Sequence, residues 1–177
     1  MVTLIAAMDK NRLIGTGQGG LPWEGMPRDK KHFRDYTAGK ALLIGRRTFE
    51  EMSGWFGKDH QPIIITRNPA YDPGEDGHVA GGVDQAMSLA AESGRGELVV
   101  CGGAEIYRLA LPFADRLILT LLHTTFQPSA RGIFFPEWQG ADFEEISRED
   151  FEGDALTPLS MTFLHLVRRG RGQHTDC

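Results

Sequence analysis

Short apolar runs that alternate with polar stretches are the feature that most limits how this chain can fold. The runs at 2–7, 41–44, 62–66 and 97–101 are strand-length and end at glycine or turn residues. Helical patterns over 27–37, 48–52, 83–93 and 105–110 separate them. Strands that alternate with helices predict an α/β fold with a largely parallel sheet.

The pattern changes after residue 116, where helical stretches stop. Apolar strands are predicted at 117–123 and 161–167, with a weaker one at 143–148 between them. Strands without intervening helices favour an antiparallel hairpin at a sheet edge, which makes the sheet mixed. We expect one domain over residues 1–169 and a disordered polar tail at 170–177.

Composition excludes several classes of function. The 177 residues carry a formal net charge of -5, which argues against a nucleic-acid binder. No window approaches the roughly 20 apolar residues of a membrane span. The two cysteines, Cys101 and Cys177, suit a reducing cytoplasm. The six histidines show no metal-ligand spacing, so we expect no metal, and a monomer is the default expectation.

The first candidate site residues are Asp29 and Phe33. On a helix they stand at i and i+4 and share one face, which offers a carboxylate beside an aromatic ring. Such a pair suits a flat heteroaromatic ligand with N–H groups on its edge. The alternative is that Asp29 only complements the helix dipole in the first turn.

Three strand ends carry candidate phosphate-binding residues. Gly45-Arg46-Arg47-Thr48 and Thr66-Arg67 combine hydroxyl and guanidinium groups, and Cys101-Gly102-Gly103 allows close backbone approach to a ligand. Each segment alone is also compatible with an ordinary loop. The two arginine segments together favour a shared ligand site, because both follow parallel strands and ligands gather at such ends. The glycine pattern is not GxGxxG, so a Rossmann domain is not supported.

In this order and spacing the motifs resemble the bacterial dihydrofolate reductase family. The resemblance is carried by residues 4–7 (Leu-Ile-Ala-Ala), Ile14-Gly15, Leu21-Pro22-Trp23, Pro27-x-Asp29-x3-Phe33, Gly45-Arg46-x-Thr48-Phe49-Glu50, Thr66-Arg67, Gly102-Gly103-x3-Tyr107, Leu119-Thr120 and Phe135-Pro136. It implies a predominantly parallel eight-stranded mixed sheet with flanking helices, NADPH as hydride donor and dihydrofolate as substrate. It also implies that the loop at 15–23 closes over the reacting rings.

The resemblance also implies roles for individual residues. Asp29 would be the catalytic acid that holds the pterin ring and favours protonation of N5. The other residues of the substrate site would be Ile5, Ala6, Lys30, Phe33, Met52, Cys101, Tyr107 and Thr120. The cofactor site would comprise Ala7, Ile14, Gly45, Arg46, Arg47, Thr48, Thr66, Arg67, Gly102, Gly103, Ala104 and Ile106.

Three positions depart from the family pattern. The stretch 57–62 lacks the usual arginine for the folate glutamate tail, and His60 falls nearest to it. Lys30 replaces an apolar residue, and Gly132 replaces an acid that secures the closed loop. Either Lys30, Lys58 or His60 supplies the positive partner of the tail, or the substrate is a pterin or related heterocycle without a tail.

Two further hypotheses concern the class of protein. A same-fold reductase of a ribosylamino-pyrimidine would share the cofactor loops but lack the Asp29–Phe33 pair. A non-catalytic nucleotide-binding module would not need an acid in the ring pocket. The presence of Asp29 speaks against both.

Overall fold

The computed structural model describes residues 1–24, 26–57, 59–68, 70–74, 77–128 and 131–170. Within these ranges the strands are β1 Val2–Met8, β2 Leu13–Gly15, β3 Ala41–Gly45, β4 Gln61–Ile65, β5 His78–Ala80, β6 Leu98–Gly102, β7 Arg116–Leu122, β8 Ile133–Phe134, β9 Phe143–Phe151 and β10 Met161–Arg168. The helices are α1 Pro27–Thr37, α2 Arg46–Glu51, α3 Val83–Glu92 and α4 Ala104–Ala110. Of the tail expected at 170–177, residues 171–177 lie outside the described residues.

Eight strands form one sheet in the order β5-β4-β3-β6-β1-β7-β10-β9. The first six strands in this order pair in parallel, whereas β10 is antiparallel to both of its neighbours, β7 and β9. This confirms the predicted α/β fold with a mostly parallel sheet and an antiparallel C-terminal edge. Strands β2 and β8 form a separate antiparallel pair.

Both faces of the central strands are covered, which explains their nearly continuous apolar sequence. Alternate residues of β1 point to opposite faces. Leu4 packs into a core shared with α3 and α4, whereas Ile5 packs into a core shared with Phe33 of α1 and Phe49 of α2. The sheet therefore separates two cores, and α1 and α2 flank the same face.

The sequence did not predict β2 and β8. Both are very short, and the two residues of β8 are exposed, so neither carries a hydrophobic pattern to reveal it. Their pairing joins positions about 120 residues apart, with Leu13 opposite Phe134. Helix α2 also begins two residues earlier than expected, directly after Gly45.

Helix α1 stands apart from the sheet more than the other helices do. Its backbone makes fewer close approaches to strands than those of α2, α3 and α4. Among its residues only Thr37 is buried. Long side chains such as Phe33 and Tyr36 therefore bridge α1 to the sheet. The region between the N-terminal half of α1 and the facing strands is termed the cleft.

Gly132 packs where no side chain fits. A Cβ atom there would lie 2.6 Å from Cβ of Pro128 and 2.8 Å from Cδ1 of Leu13. Contacts this short force neighbouring atoms to move. The structure thus gives a steric reason for the glycine at position 132.

Substituting Gly132→Ala should lower the free energy of unfolding by about 1 to 3 kcal/mol, because the added methyl group overpacks the β2–β8 region. Urea denaturation measures the change. Gly140→Ala is the matched control, since a Cβ at Gly140 meets no atom within 4 Å. Equal stability of the two variants would contradict this packing argument.

Candidate active site

Asp29 lies in the first turn of α1 and faces Thr120 of β7. Protein atoms surround its carboxyl group, although solvent still reaches part of the residue. Burial raises the pKa of Asp29, while a hydrogen bond with the Thr120 side chain and the positive charge of Lys30 act in the opposite direction. A carboxyl group that holds its proton to higher pH than an ordinary surface acid is better suited to acid–base chemistry.

The wall opposite Asp29 comes from β1, β6 and β7. Ile5 and Cys101 are buried in the same apolar cluster, and Thr120 of β7 is 3% exposed. Burial raises the pKa of the Cys101 thiol, so this cysteine stays protonated and serves as an apolar surface. The predicted residues of the ring site on these three strands are therefore brought together.

Tyr107 braces this wall from the other side of the sheet. Its hydroxyl group donates a 2.7 Å hydrogen bond to the carbonyl oxygen of Ile5. Burial raises the pKa of Tyr107 well above its usual range, and the nearby Cys101 and Asp29 contribute to the rise. Tyr107 thus remains a hydrogen-bond donor and fixes the backbone of β1 beside the cleft.

Aromatic side chains form the outer wall of the cleft. The ring of Phe33 lies 5.0 Å from that of Trp55, which in turn lies 5.2 Å from Phe56. Phe33 also packs against the cluster that contains Ile5 and Cys101. A carboxyl group with an aromatic wall beside it is the environment that a flat heteroaromatic ring with edge N–H groups requires.

The predicted cofactor loops meet at one edge of the sheet. Gly45, at the end of β3, stands opposite Ile65 of β4, and the adjacent Ile44 stands opposite Gly102 of β6. The carboxyl ends of these three parallel strands are thus aligned, where ligands of α/β sheets bind. Thr66 follows β4 directly and lies at the same edge.

Glycine lets these loops approach one another closely. A Cβ atom on Gly45 would lie 3.1 Å from Ile106, and one on Gly103 would lie 3.3 Å from the Thr48 hydroxyl oxygen. Gly102 has a φ of +114°, and a Cβ there would lie 3.2 Å from the Tyr107 ring. The result is a narrow backbone cradle between the starts of α2 and α4, with Ala104 at the first position of α4.

The three predicted arginines differ in their freedom to bind a ligand. Arg46 forms a salt bridge with Glu50, with Nη1 and Oε1 separated by 3.0 Å. Arg47 and Arg67 are exposed, and neither has an ion-pair partner in the described part of the chain. Arg47 and Arg67 are therefore the more available cations at this edge.

Two predicted residues lie on the face of the sheet opposite Asp29. The side chains of Ala6 and Ile14 pack with the core that contains Leu4. Any contact of Ala6 with a ligand in the cleft must come from its backbone. Ala7, by contrast, stands opposite Thr120 in the β1–β7 ladder and packs on the cleft side.

The remaining predicted residues lie at the margin of the cleft. Met52 is half-buried at the end of α2, and Lys30 is exposed on α1 without an ion-pair partner among the described residues. His60 is buried against the Trp55 ring, with centroids 4.7 Å apart, and its Nδ1 accepts a hydrogen bond from the Gly57 N–H. Lys58 lies outside the described residues.

The sequence interpretation missed the aromatic residues that complete the wall. Trp55 and Phe56 come from the loop after α2, and Phe49 stacks on Phe56 with ring centroids 5.1 Å apart. Three aromatic residues within eight positions of a glycine-containing segment were the available signal. Among the described residues no cluster of three metal-ligating side chains occurs, and no helix there could span a membrane.

Asp29→Asn should stabilise the folded protein in the absence of ligands at neutral pH. The raised pKa means that the folded state binds the Asp29 proton more tightly than the unfolded state does. This contribution is complete below the unfolded pKa and is lost as pH rises through the folded pKa. Asparagine does not titrate, so the variant avoids that loss. The melting temperature of Asp29→Asn should therefore exceed that of the unmodified protein by a margin that grows as pH rises. If the two melting temperatures change in parallel with pH, the burial of the carboxyl group is contradicted.

Comparison with known proteins agrees with this geometry. The dihydrofolate reductase family model matches residues 1–168. Dihydrofolate reductase type A13 of Escherichia coli is 36% identical over 167 residues, covering 94% of this chain and 92% of that protein. Dihydrofolate reductase of Bacillus subtilis is 33% identical over 165 residues, covering 93% and 92%.

A solved structure shows the same fold. Dihydrofolate reductase from Enterococcus faecalis, complexed with NADP(H) and RAB-propyl, matches with a TM-score of 0.85 and 29% sequence identity, covering 96% of this chain and 97% of that one. The fold, the position of Asp29 and the sequence similarity all lead to one assignment. This chain belongs to the dihydrofolate reductase family.

Proposed function

We propose that this enzyme reduces 7,8-dihydrofolate to 5,6,7,8-tetrahydrofolate with NADPH, in support of one-carbon metabolism. The observation that carries the proposal is the Asp29 carboxyl group, buried in a cleft beside aromatic rings with its pKa raised. Relatives that share most of the chain are named dihydrofolate reductase, and the similar solved structure holds NADP(H).

In this proposal Asp29 binds the pterin ring by its edge and promotes protonation at N5. The hydrogen bond with Thr120 orients the carboxyl group, and Phe33 packs against the face of the ring. Ile5 and Cys101 exclude water from the opposite side. Because burial disfavours the charged carboxylate, the pKa of Asp29 is raised, which favours the role of this carboxyl group in supplying a proton.

The residues at the carboxyl edge fit NADPH, which supplies a hydride to C6 of the substrate when it is bound. The cradle of Gly45, Gly102 and Gly103 presents backbone N–H groups where a side chain would block a phosphate. Arg47 and Arg67 provide guanidinium groups for the 2′-phosphate, with Thr66 beside them. This arrangement favours NADPH over NADH.

The loop at 15–23 is proposed to exclude water from the reacting rings. Segment 16–20 contains an internal hydrogen bond, in which the Thr16 hydroxyl group donates to the Gly19 carbonyl oxygen at 2.7 Å. It also reaches α2, where the Gly20 N–H donates to Glu51 at 3.4 Å. Trp23, at the end of the loop, is buried against Phe126.

The glutamate tail of the substrate is assigned to Lys30. Lys31 forms an ion pair with Asp35, whereas Lys30 has none in the described part of the chain. His60 is less suitable, because its Nδ1 already accepts a hydrogen bond and its ring is buried. The alternative, an untailed pterin or related heterocycle as substrate, predicts that Lys30 has no part in binding.

We place the enzyme in the cytoplasm as a monomer. The free thiol of Cys101 is compatible with a reducing compartment. The net charge of -5 does not favour nucleic acid as a partner.

Asp29→Asn should reduce dihydrofolate-dependent oxidation of NADPH at neutral pH by about 10²- to 10⁴-fold, the usual contribution of a positioned acid. Steady-state absorbance of the nicotinamide measures the rate. Retained binding of NADPH, followed by its fluorescence, shows that the variant is folded. Full activity of Asp29→Asn would refute the role of Asp29, and an inactive unmodified protein would favour the non-catalytic module.

Lys30→Gln should raise KM for dihydrofolate about 10- to 100-fold and leave kcat nearly unchanged, since one charge-assisted contact is worth roughly 1.5 to 3 kcal/mol. Lys31→Gln is the matched control on the same helix. Dihydrobiopterin, which has no glutamate tail, serves as the second substrate, and its KM should not respond. Equal turnover of both substrates by the unmodified protein, with no effect of Lys30→Gln, would favour the untailed alternative.

A further inference from the structure

A buried carboxylate outside the cleft joins α1 to the sheet. Glu97 precedes β6 and is 9% exposed. Its Oε1 accepts hydrogen bonds from the Thr3 hydroxyl at 2.6 Å and from the Tyr36 hydroxyl at 2.9 Å, and its Oε2 lies 3.3 Å from Nζ of Lys40. One side chain thus links β1, β6, α1 and the turn after α1.

Lys40 closes this network on the helix side. Its Nζ donates a 2.6 Å hydrogen bond to the carbonyl oxygen of Tyr36 and lies 3.6 Å from the centre of the Tyr36 ring. Desolvation opposes ionisation of Glu97, but the hydrogen bonds from Thr3 and Tyr36 and the charge of Lys40 outweigh it and lower the pKa of Glu97. Glu97 is therefore an ionised, fully partnered anchor at neutral pH.

Packing also holds α1 against the sheet, since Phe33 contacts the cluster of Ile5 and Cys101 and His32 stacks on Phe163 with ring centroids 4.0 Å apart. The polar anchors of α1 are fewer. Its single buried residue is Thr37, and its sequence is strongly polar. At its N-terminal end Arg28 pairs with Asp154, but these side chains are 33% and 46% exposed, and exposed pairs contribute little to stability. The network around Glu97 is better shielded from solvent, since the Glu97 side chain is only 11% exposed.

Tyr36 shares a helix face with Asp29. Seven residues, about two turns or roughly 10 Å, separate them, so both point to the same side of α1. A rotation or tilt of the helix at Tyr36 therefore moves the Asp29 carboxyl group relative to Thr120. Small displacements of a catalytic group have large effects on rate.

We propose that Glu97 is a positioning residue: through Tyr36 it fixes the orientation of α1 and so holds the Asp29 carboxyl group in the cleft. This inference rests on the proposed reductase activity. It predicts that loosening the network exposes Asp29 to solvent and impairs proton supply without removing any group that touches the substrate.

Tyr36→Phe tests the proposal with minimal disturbance, because it removes one hydroxyl group and keeps the ring. Single-turnover hydride transfer from NADPH to dihydrofolate, measured across pH, should be about threefold to tenfold slower at neutral pH. The midpoint of its pH profile should move to lower pH, since a more hydrated carboxyl group loses its proton more easily. Thr162→Val is the matched control, because it removes a hydroxyl group bonded to Asp150 on the β9–β10 hairpin.

Thr3→Val removes the hydrogen bond from β1 to Glu97 and changes no residue of α1. It should shift the pH midpoint in the same direction as Tyr36→Phe, and Thr3→Ser, which keeps the hydroxyl group, should restore it. If both variants melt at lower temperature but keep the unmodified rate and pH midpoint, Glu97 is only structural and the proposal is overturned. An unmodified protein that does not reduce dihydrofolate would instead refute the proposed function.

Discussion

Burial of the Asp29 carboxyl group is the unfavourable interaction around which this site is organised. Desolvation raises the pKa of Asp29, which costs folding free energy above the folded pKa but favours the protonated form of the carboxyl group. The sheet offsets that cost with apolar strands buried on both faces, among them Leu42, Leu43 and Val99. The fold can therefore tolerate the unfavourable burial of Asp29 because the apolar strands around it are well packed.

The position of Asp29 on a polar helix follows from the need for an open cleft. A strongly apolar helix would pack tightly on the sheet and fill the space that a flat ligand requires. Helix α1 instead contacts the sheet through a few long side chains, including Phe33 and Tyr36. The orientation of α1 then depends strongly on specific contacts in its C-terminal half, such as the hydrogen bond from Tyr36 to Glu97.

Sequence patterns predicted those parts of the fold that rest on local periodicity. The bounds of α1, the parallel strands and the approach of Gly45 to Gly103 followed from apolar runs and from strand ends at one sheet edge. Contacts between distant positions could not be predicted in this way. The bonds from Thr3 to Glu97 and from Tyr107 to Ile5 span 94 and 102 residues, and no periodic pattern encodes them. The side of the sheet that Ala6 faces was likewise decided by strand pairing.

In the proposed function the two ends of the substrate are held by different physical means. The ring end depends on a desolvated acid and packed rings, where a substitution alters both stability and chemistry. The tail end depends on exposed charge, which is tolerant of the residue that supplies it. His60 is buried against Trp55 in the aromatic wall, and the exposed Lys30 on α1 is the cation proposed for the tail. A positive charge on α1, rather than on the loop at 57–62, would let the helix that carries Asp29 bind both the ring and the tail of the substrate.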